Sequence, residues 1–399
     1  MKTTILFAVL LAFLSTTEAE IGMGVLMIWP TARSTALAGA MTGLADEADA
    51  TFFNPAGLAF QITAMANLDY GNWLPGLYQG MCYASAAGGA PVRLPFLGGR
   101  NAFIAGSLTY LTTREIDIVN EQGEFLGRTS AWRGSASVQA AAAVADKLSI
   151  GIAAKFLISR FESWNDDYLW WPWFWPFGDP VLGLESGGDA TTVAADLALL
   201  YRPASRFSIG AAIVNLGPHI VYQPSGEDAE LPRMARLGVC WTPVESRYVR
   251  LRVMPELTKV LVGMFSDTTG KSFGRQLHEE WHDVWKAVGI EATAFGLVSL
   301  RLAYFEDLTY QRGGITMEKG YRTYHYGIWD ILARKHLGRF ERIGLCWGFG
   351  LGTDKLRFDV SSDAAMYDFP TSNWKLSLVA NDIAGGIREL KQGLKPWEE

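Results

Sequence analysis

The sequence predicts an all-β protein, a transmembrane β-barrel of about 14 strands closed over an N-terminal plug segment. Three observations carry this: a period-two alternation of side-chain character from about residue 64 onward, a rhythm of short and long connections, and a leading stretch, residues 20–62, that lacks the alternation. Composition agrees. Of 399 residues, 49% are hydrophobic, 13% aromatic and only 19% charged, with Gly 42, as in a glycine- and aromatic-rich sheet. A net charge of −6 without a basic stripe argues against a nucleic-acid partner.

Residues 1–19 read as a secretory signal peptide: Lys2 precedes an apolar run from Ile5 to Leu14, and small polar residues follow up to Ala19. That run is too short to cross a bilayer, which takes about 20 apolar residues as a helix, and no later run reaches this length. Cys82, Cys240 and Cys346 are widely spaced and odd in number, so they read as packed thiols rather than a disulfide framework. Residues 20–62 are small and apolar, with short helices expected around Ala32 to Gly43 before a turn at Asn54-Pro55.

Residues 63–380 form the barrel. In Arg342 to Leu351, "RIGLCWGFGL", Ile343, Leu345, Trp347, Phe349 and Leu351 share one face, and Gly344, Cys346, Gly348 and Gly350 the other. Leu148 to Ile158 and Val298 to Tyr304 repeat the pattern. A soluble sandwich would cover its outer face with Lys and Glu, whereas here the polar face is rich in Gly, Ala and Ser. That composition suits side chains crowding into a lumen while the apolar face meets lipid.

Strands are expected near 64–70, 77–86, 101–111, 132–145, 148–160, 190–201, 206–216, 233–241, 248–258, 284–294, 297–306, 340–352, 355–361 and 373–379. From the fourth strand on, connections alternate between short (146–147, 202–205, 242–247, 295–296, 353–354) and long (161–189, 217–232, 259–283, 307–339). Outer-membrane barrels are built this way, with short periplasmic turns and long outer loops. The connection 87–100 breaks the rhythm, because it should be short. On this reading both termini are periplasmic. Residues 381–399 carry Ile383, Ile387, Leu390 and Leu394 at helical spacing and are expected to form a C-terminal periplasmic helix or tail.

Pro30 to Phe60, "PTARSTALAGAMTGLADEADATFFNPAGLAF", resembles the amino-terminal signature of the PorV/PorQ group within the FadL superfamily. Arg33, Ala36, Gly39, Asp46, Asp49, Asn54, Pro55, Ala56, Gly57 and Leu58 fall on it. Ala287 to Asp307 and Gly344 to Asp359 resemble late hairpins of that group. The resemblance implies a fourteen-stranded outer-membrane barrel with an inward-folded plug. PorV-type relatives serve type IX secretion, so the first functional expectation is a carrier or scaffold with exported proteins or a translocon barrel as partners. FadL-type relatives pass long-chain fatty acids or other hydrophobic small molecules, and a diffusion channel is the alternative. Neither is an enzyme, and no cofactor or metal is implied.

Strand parity turns Lys155, Asp196, Arg236, Arg250, Arg252, Glu256, Glu291, Arg301, Arg357 and Asp359 inward. Both signs occur, which favours paired networks between plug and wall over a one-signed pore, with Arg33, Asp46 and Asp49 as plug partners. "HEEWH", His278 to His282, matches a zinc-protease spacing but lacks a third ligand, so it reads as solvated outer loop. "GMFSDTTGKS", Gly263 to Ser272, has the wrong glycine spacing for a phosphate loop.

The connection 161–189 holds Trp164, Tyr168, Trp170, Trp171, Trp173, Phe174 and Trp175. Three roles fit an outer loop of this kind: anchoring at the membrane interface, docking a protein partner, or admitting a hydrophobic ligand.

Overall fold

The structure is a computed structural model and describes residues 22–76, 80–93, 100–119, 125–164, 189–223, 226, 228–265, 272–309, 311–320, 322–333, 338–353, 355–367 and 369–382. Fourteen antiparallel strands close on themselves. They are β1 (Met65–Asn72), β2 (Cys82–Arg93), β3 (Asn101–Val119), β4 (Phe125–Ala145), β5 (Leu148–Trp164), β6 (Ala190–Ala204) and β7 (Phe207–Leu216). The remaining seven are β8 (Met234–Glu245), β9 (Val249–Val260), β10 (Trp285–Ala294), β11 (Val298–Asp307), β12 (Leu345–Gly352), β13 (Leu356–Ser362) and β14 (Lys375–Ala380). Every strand pairs with its sequence neighbour, and β14 closes the ring on β1 through partners such as Asp69 and Ser377. Closure leaves no unpaired edge, which is the condition for a sheet to stand in hydrocarbon.

The two faces divide as the alternation requires. Ile150, Ile152, Phe156, Leu300, Leu302, Trp347, Phe349 and Leu351 stand exposed on the outside, while Ser149, Ala153, Arg301, Ala303 and Cys346 are buried inside. Exposed aromatics mark both ends of this apolar surface. Tyr70 packs on Trp374 (ring centroids 6.0 Å apart) and Tyr110 on Trp132 (5.7 Å) near the long loops, and Tyr248 meets Phe295 (6.2 Å) beside the short turns. Such paired girdles sit where a ring half-buries in lipid and keeps its polar edge wet. Among the described residues no helix is long and apolar enough to cross a membrane.

Several boundaries differ from expectation. The second strand lies over Cys82–Arg93, not 77–86, because Gly88 and Gly89, which resemble a turn in sequence, sit against β1 and β3 where added side chains would collide. The second strand thus covers residues 87–93 of the expected connection 87–100, and the third begins at Asn101. β3 and β4 run on to Val119 and from Phe125, so the expected loop there is largely a tall hairpin. The expected strand 340–352 is split at Gly344. Arg339–Ile343 joins a separate three-stranded sheet with Ile315–Lys319 and Arg322–Tyr326, because Gly344 crosses close over Gly313. "HEEWH" lies on a helix rather than in a loop. The expected signal peptide, 1–19, lies outside the described residues, as do residues 383–399 of the expected C-terminal helix or tail, 381–399.

Residues 22–61 fill the lumen. Thr31 caps α1 (Ala32–Ala36) with a reciprocal box: Thr31 Oγ1 accepts from Ser34 N and Ser34 Oγ from Thr31 N, both at 3.0 Å. A cap of this kind contributes about 0.5–2 kcal/mol. The segment continues through α2 (Ala50–Phe53) and a 3₁₀ turn over Pro55–Phe60 into β1. The path runs the length of the barrel. Gly22 N donates to Glu230 O at the long-loop end, whereas Arg202 lies 4.4 Å over the Phe60 ring near the short turns. β1 begins and β14 ends on the short-turn side, but Gly22 does not share that side, so the leading end of the plug has threaded upward.

Candidate functional site: the plugged lumen

The inward-facing charges converge on the plug. Arg33 lies 2.7 Å from Asp46 and 3.1 Å from Glu47, and donates Nε and Nη2 to the two oxygens of Glu291 on β10, each at 3.0 Å. Arg252 on β9 bridges Asp46 (2.8 Å) and Glu291 (3.1 Å). Arg301 on β11 reaches Glu291 and Asp359, both at 2.7 Å. Arg357 on β13 grips Glu47 through two bonds of 2.7 Å and also meets Asp359 at 2.9 Å. Four guanidinium groups thus balance four carboxylates, three members coming from the plug and five from the wall.

Burial alone would make such charges costly, and only mutual satisfaction makes the arrangement tolerable. The electrostatics of the plug residues show this balance. Burial pushes the Asp46 carboxyl up, but Arg33 and Arg252 outweigh it and hold the group well below the usual carboxylate range. Burial likewise opposes the Arg33 charge, and the surrounding acids keep it firmly protonated. Asp49 fares differently. Its Oδ1 is buried without a hydrogen bond, and burial pushes its carboxyl well above the usual range.

The partner that sequence reasoning missed is Glu47, which pairs with Arg357, whereas Asp49, expected among the plug partners, makes no ion pair with the wall among the described residues. The signal was present in "LADEAD", where a third acid stands within the same plug run. Of the expected plug residues, Asn54 is the second anchor. Its Nδ2 donates to Thr42 O (2.8 Å) and Leu199 O (2.9 Å), and its Oδ1 accepts from Ala56 N (3.1 Å), setting Pro55 at the start of its turn. Glu256 accepts from Thr42 N and Oγ1, both at 2.8 Å, and Ser208 Oγ donates to Gly43 O at 2.6 Å. Close approach needs glycine at the contacts. A Cβ on Gly43 would stand 2.6 Å from the Val239 backbone, and one on Gly348 2.5 Å from Ala36. Gly57 backs onto Ala45 in the same way.

Higher in the lumen the character changes. Lys155 pairs with Asp196 (2.8 Å) and donates to Asn215 Oδ1 (2.8 Å). Arg236 stacks 4.9 Å over the Phe53 ring, and its Nε has no hydrogen-bond partner. Toward the long loops Met23, Val25, Tyr83, Leu111, Leu157, Ile220 and Tyr222 form an apolar cluster inside the barrel. A cleft of about 40 Å³ lies beside it, between Val25, Leu26, Ile28 and Phe53 of the plug and Tyr83, Thr109 and Ser135 of the wall, with Lys155 and Arg236 at its margin. Hydroxyls ladder that wall: Thr109 with Ser135 at 2.8 Å and Ser107 with Ser137 at 2.7 Å. Arg250 points elsewhere, into a polar cavity of about 310 Å³ at the short-turn end with Asp46, Glu47 and Arg252.

The remaining expectations separate from this site. Cys82, Cys240 and Cys346 are free and buried. His278 and His282 are exposed on an outer helix, and among the described residues no group of three or more His, Cys, Asp and Glu side chains is placed to hold a metal ion. Tyr168, Trp170, Trp171, Trp173, Phe174 and Trp175 lie outside the described residues, as does the side chain of Trp164.

No protein-family model and no curated protein matches the chain. Among solved structures it is similar to a TodX deltaS2S3 mutant, a monoaromatic hydrocarbon channel, with a TM-score of 0.50 at 11% identity over 88% of this chain and 98% of that one. The toluene transporter TodX of Pseudomonas putida gives 0.48 at 10% identity over 92% and 98%, and a FadL homologue of Pseudomonas aeruginosa 0.44 at 10% over 91% and 99%. At this identity the TodX variant speaks for the fold alone: a closed barrel of the kind found among bacterial outer-membrane channels.

Proposed function

We propose that this barrel is an outer-membrane diffusion channel for hydrophobic small molecules, entered from the long-loop end, with the beginning of β1 and the end of β14 on the periplasmic side. The observation that carries the reading is the division of the lumen. Its long-loop half holds an apolar cluster of Met23, Val25, Tyr83, Leu111 and Leu157 beside a cleft whose wall also carries hydroxyls, and its short-turn half is closed in this structure by the plug's ionic lock. Lys155 and Arg236 stand where the two halves meet, so the compound that fits best has an apolar body and a polar or anionic end. The similar TodX variant is a hydrocarbon channel, which favours this reading over the export carrier implied by the Pro30 to Phe60 resemblance. The aromatic loop that an export role would use lies outside the described residues.

A volume of about 40 Å³ holds little more than water, so a hydrophobic ligand enters this cleft only if the plug or wall moves. The plug divides into two parts that would respond differently to a ligand. Residues 31–61 are tied by the ionic lock and by Asn54. The limb 22–30 rests on apolar contacts and a few backbone bonds: Gly22 N to Glu230 O, Met23 N to the Tyr222 hydroxyl, Ser85 Oγ to Pro30 O and Lys375 Nζ to Trp29 O. Displacing the limb enlarges the cleft without breaking the lock.

Photo-crosslinking tests the placement. A diazirine-bearing long-chain carboxylate should label the limb or Tyr83, and Arg236→Met should reduce labelling by the carboxylate more than by a neutral analogue. Labelling confined to the outer wall would remove the cleft from the pathway.

A further inference from the structure

Outside the barrel, a helix is fastened to the lipid-facing wall. α3 (Phe273–His282) follows β9, and the side chain that holds it, Lys259, has outward parity with Leu257 and Pro255. Lys259 Nζ lies 2.6 Å from Glu280 and 3.7 Å from Asp283 just beyond the helix, while Phe265 N donates to the other Glu280 oxygen at 2.6 Å. On β10 and β11 a second outward charged pair, Lys286 and Glu306 (3.1 Å), is covered in turn. Trp281 lays its ring 5.5 Å from Lys286 Nζ, and Ile328 N at the start of α4 (Ile328–Ala333) donates to Glu306 at 2.7 Å. Charges on the outer wall that hydrocarbon would not tolerate are thus roofed by two short helices.

Each helix also exposes large apolar side chains. Phe273 (73% exposed), Leu277 (54%) and Trp281 (47%) recur every four residues and form one stripe, with Arg275, His278 and His282 on a different arc. Trp329 and Leu332 of α4 are also exposed. Between α3 and Met264-Phe265 runs an open groove of about 640 Å³, lined chiefly by Leu277, Trp281 and Val284, with His278 and the Lys259–Glu280 pair at its polar side. Along β10 and β11 this apolar surface continues into the exposed Val288, Ile290, Leu300 and Leu302 of the lipid-facing wall. The patch is therefore an extension of the membrane surface of the barrel.

We infer that α3 and α4 form a shelf lying in the long-loop-side interface of the bilayer, with the stripe Phe273, Leu277 and Trp281 among the acyl chains and the groove holding the upper part of a lipid chain. A stripe of Phe273, Leu277 and Trp281 beside a polar arc of Arg275, His278, Glu279 and His282, with Glu280 taken up by Lys259, is the pattern of an amphipathic helix that lies in an interfacial plane. The occupant is lipid because the patch is continuous with the lipid-facing wall.

The inference rests on the membrane-barrel reading, and the experiment separates the two. Nitroxide labels at Phe273→Cys, Leu277→Cys, Arg275→Cys and His282→Cys are compared in proteoliposomes for collision with oxygen, which concentrates in lipid, and with a nickel chelate, which stays in water. Leu302→Cys on the barrel wall is the reference. The shelf requires oxygen to dominate at 273, 277 and 302 and the chelate at 275 and 282. Chelate dominance at 273 and 277 with oxygen dominance at 302 overturns the shelf and keeps the barrel. Chelate dominance at 302 as well overturns both.

Discussion

Replacing Arg33 by methionine strikes the centre of the ionic lock. Arg33 is 2% exposed, and the substitution removes its pairs with Asp46, Glu47 and Glu291 while leaving comparable bulk. Three arginines then face four carboxylates, so one buried negative charge is uncompensated. Breaking a buried pair from one side costs about 3–5 kcal/mol. Applied to plug docking, this is a shift of roughly a hundred- to several-thousand-fold in the docking equilibrium. The barrel wall keeps its own closure, since Glu291 retains Arg252 and Arg301. Proteoliposomes of Arg33→Met should leak a small hydrophilic solute and expose residues 22–61 to protease, while the strands remain resistant and heat-modifiable. Adding Asp46→Asn restores the charge balance and should recover part of the seal. If Arg33→Met is as tight and as protease-resistant as the parent, the lock does not hold the plug.

Asn54→Ala removes the partner of the buried Thr42 carbonyl and the Ala56 N–H, at about 1–3 kcal/mol for each group left unpaired, together with a contact to Leu199 O, and is expected to raise liposome permeability without blocking assembly. Failure to assemble would instead assign Asn54 to barrel folding. Asp49 gives a pH signature. Its carboxyl is raised in the folded state, so the folded form holds the proton more tightly, and its contribution to stability falls as pH rises from the ordinary carboxylate range toward the raised value. Asp49→Asn should flatten that fall and raise the denaturation midpoint at neutral pH, and an unchanged pH profile would show that Asp49 is not a strained acid.

Much of the barrel was legible because its signal is local. Alternation in residues such as Ile150, Ile152, Leu300 and Leu302 reports the outer face directly, and turn spacing gives strand order once each strand pairs with its neighbour. The misplacements came where composition and structure part. Gly88 and Gly89 look like a turn but serve as close-packed strand, and the charged run from Arg114 to Arg128 hides a hairpin whose upper part has no lipid to impose a pattern. The inward parity of the ten charged wall residues was readable, but their partners were not. Arg33 and Glu291 are 258 positions apart and meet only after the barrel closes, and the choice of Glu47 over Asp49 depends on which way one turn of the plug faces. The shelf was obscured for a related reason: in α3 the "HEEWH" spacing draws attention to its histidines, whereas the residues that meet the wall are Glu280 and Trp281.

The most direct test of the account is flux. In proteoliposomes preloaded with a fluorescent acceptor, the protein should accelerate entry of a labelled long-chain carboxylate and of an aromatic hydrocarbon over protein-free vesicles. It should leave the entry of a sugar of similar size unchanged, because the plug held by Arg33, Glu291 and Arg357 leaves no standing aqueous path through the lumen. Equal acceleration of the sugar would make it an open aqueous pore. No acceleration of either hydrophobic compound, from a barrel that is correctly inserted and plugged, would contradict the channel reading.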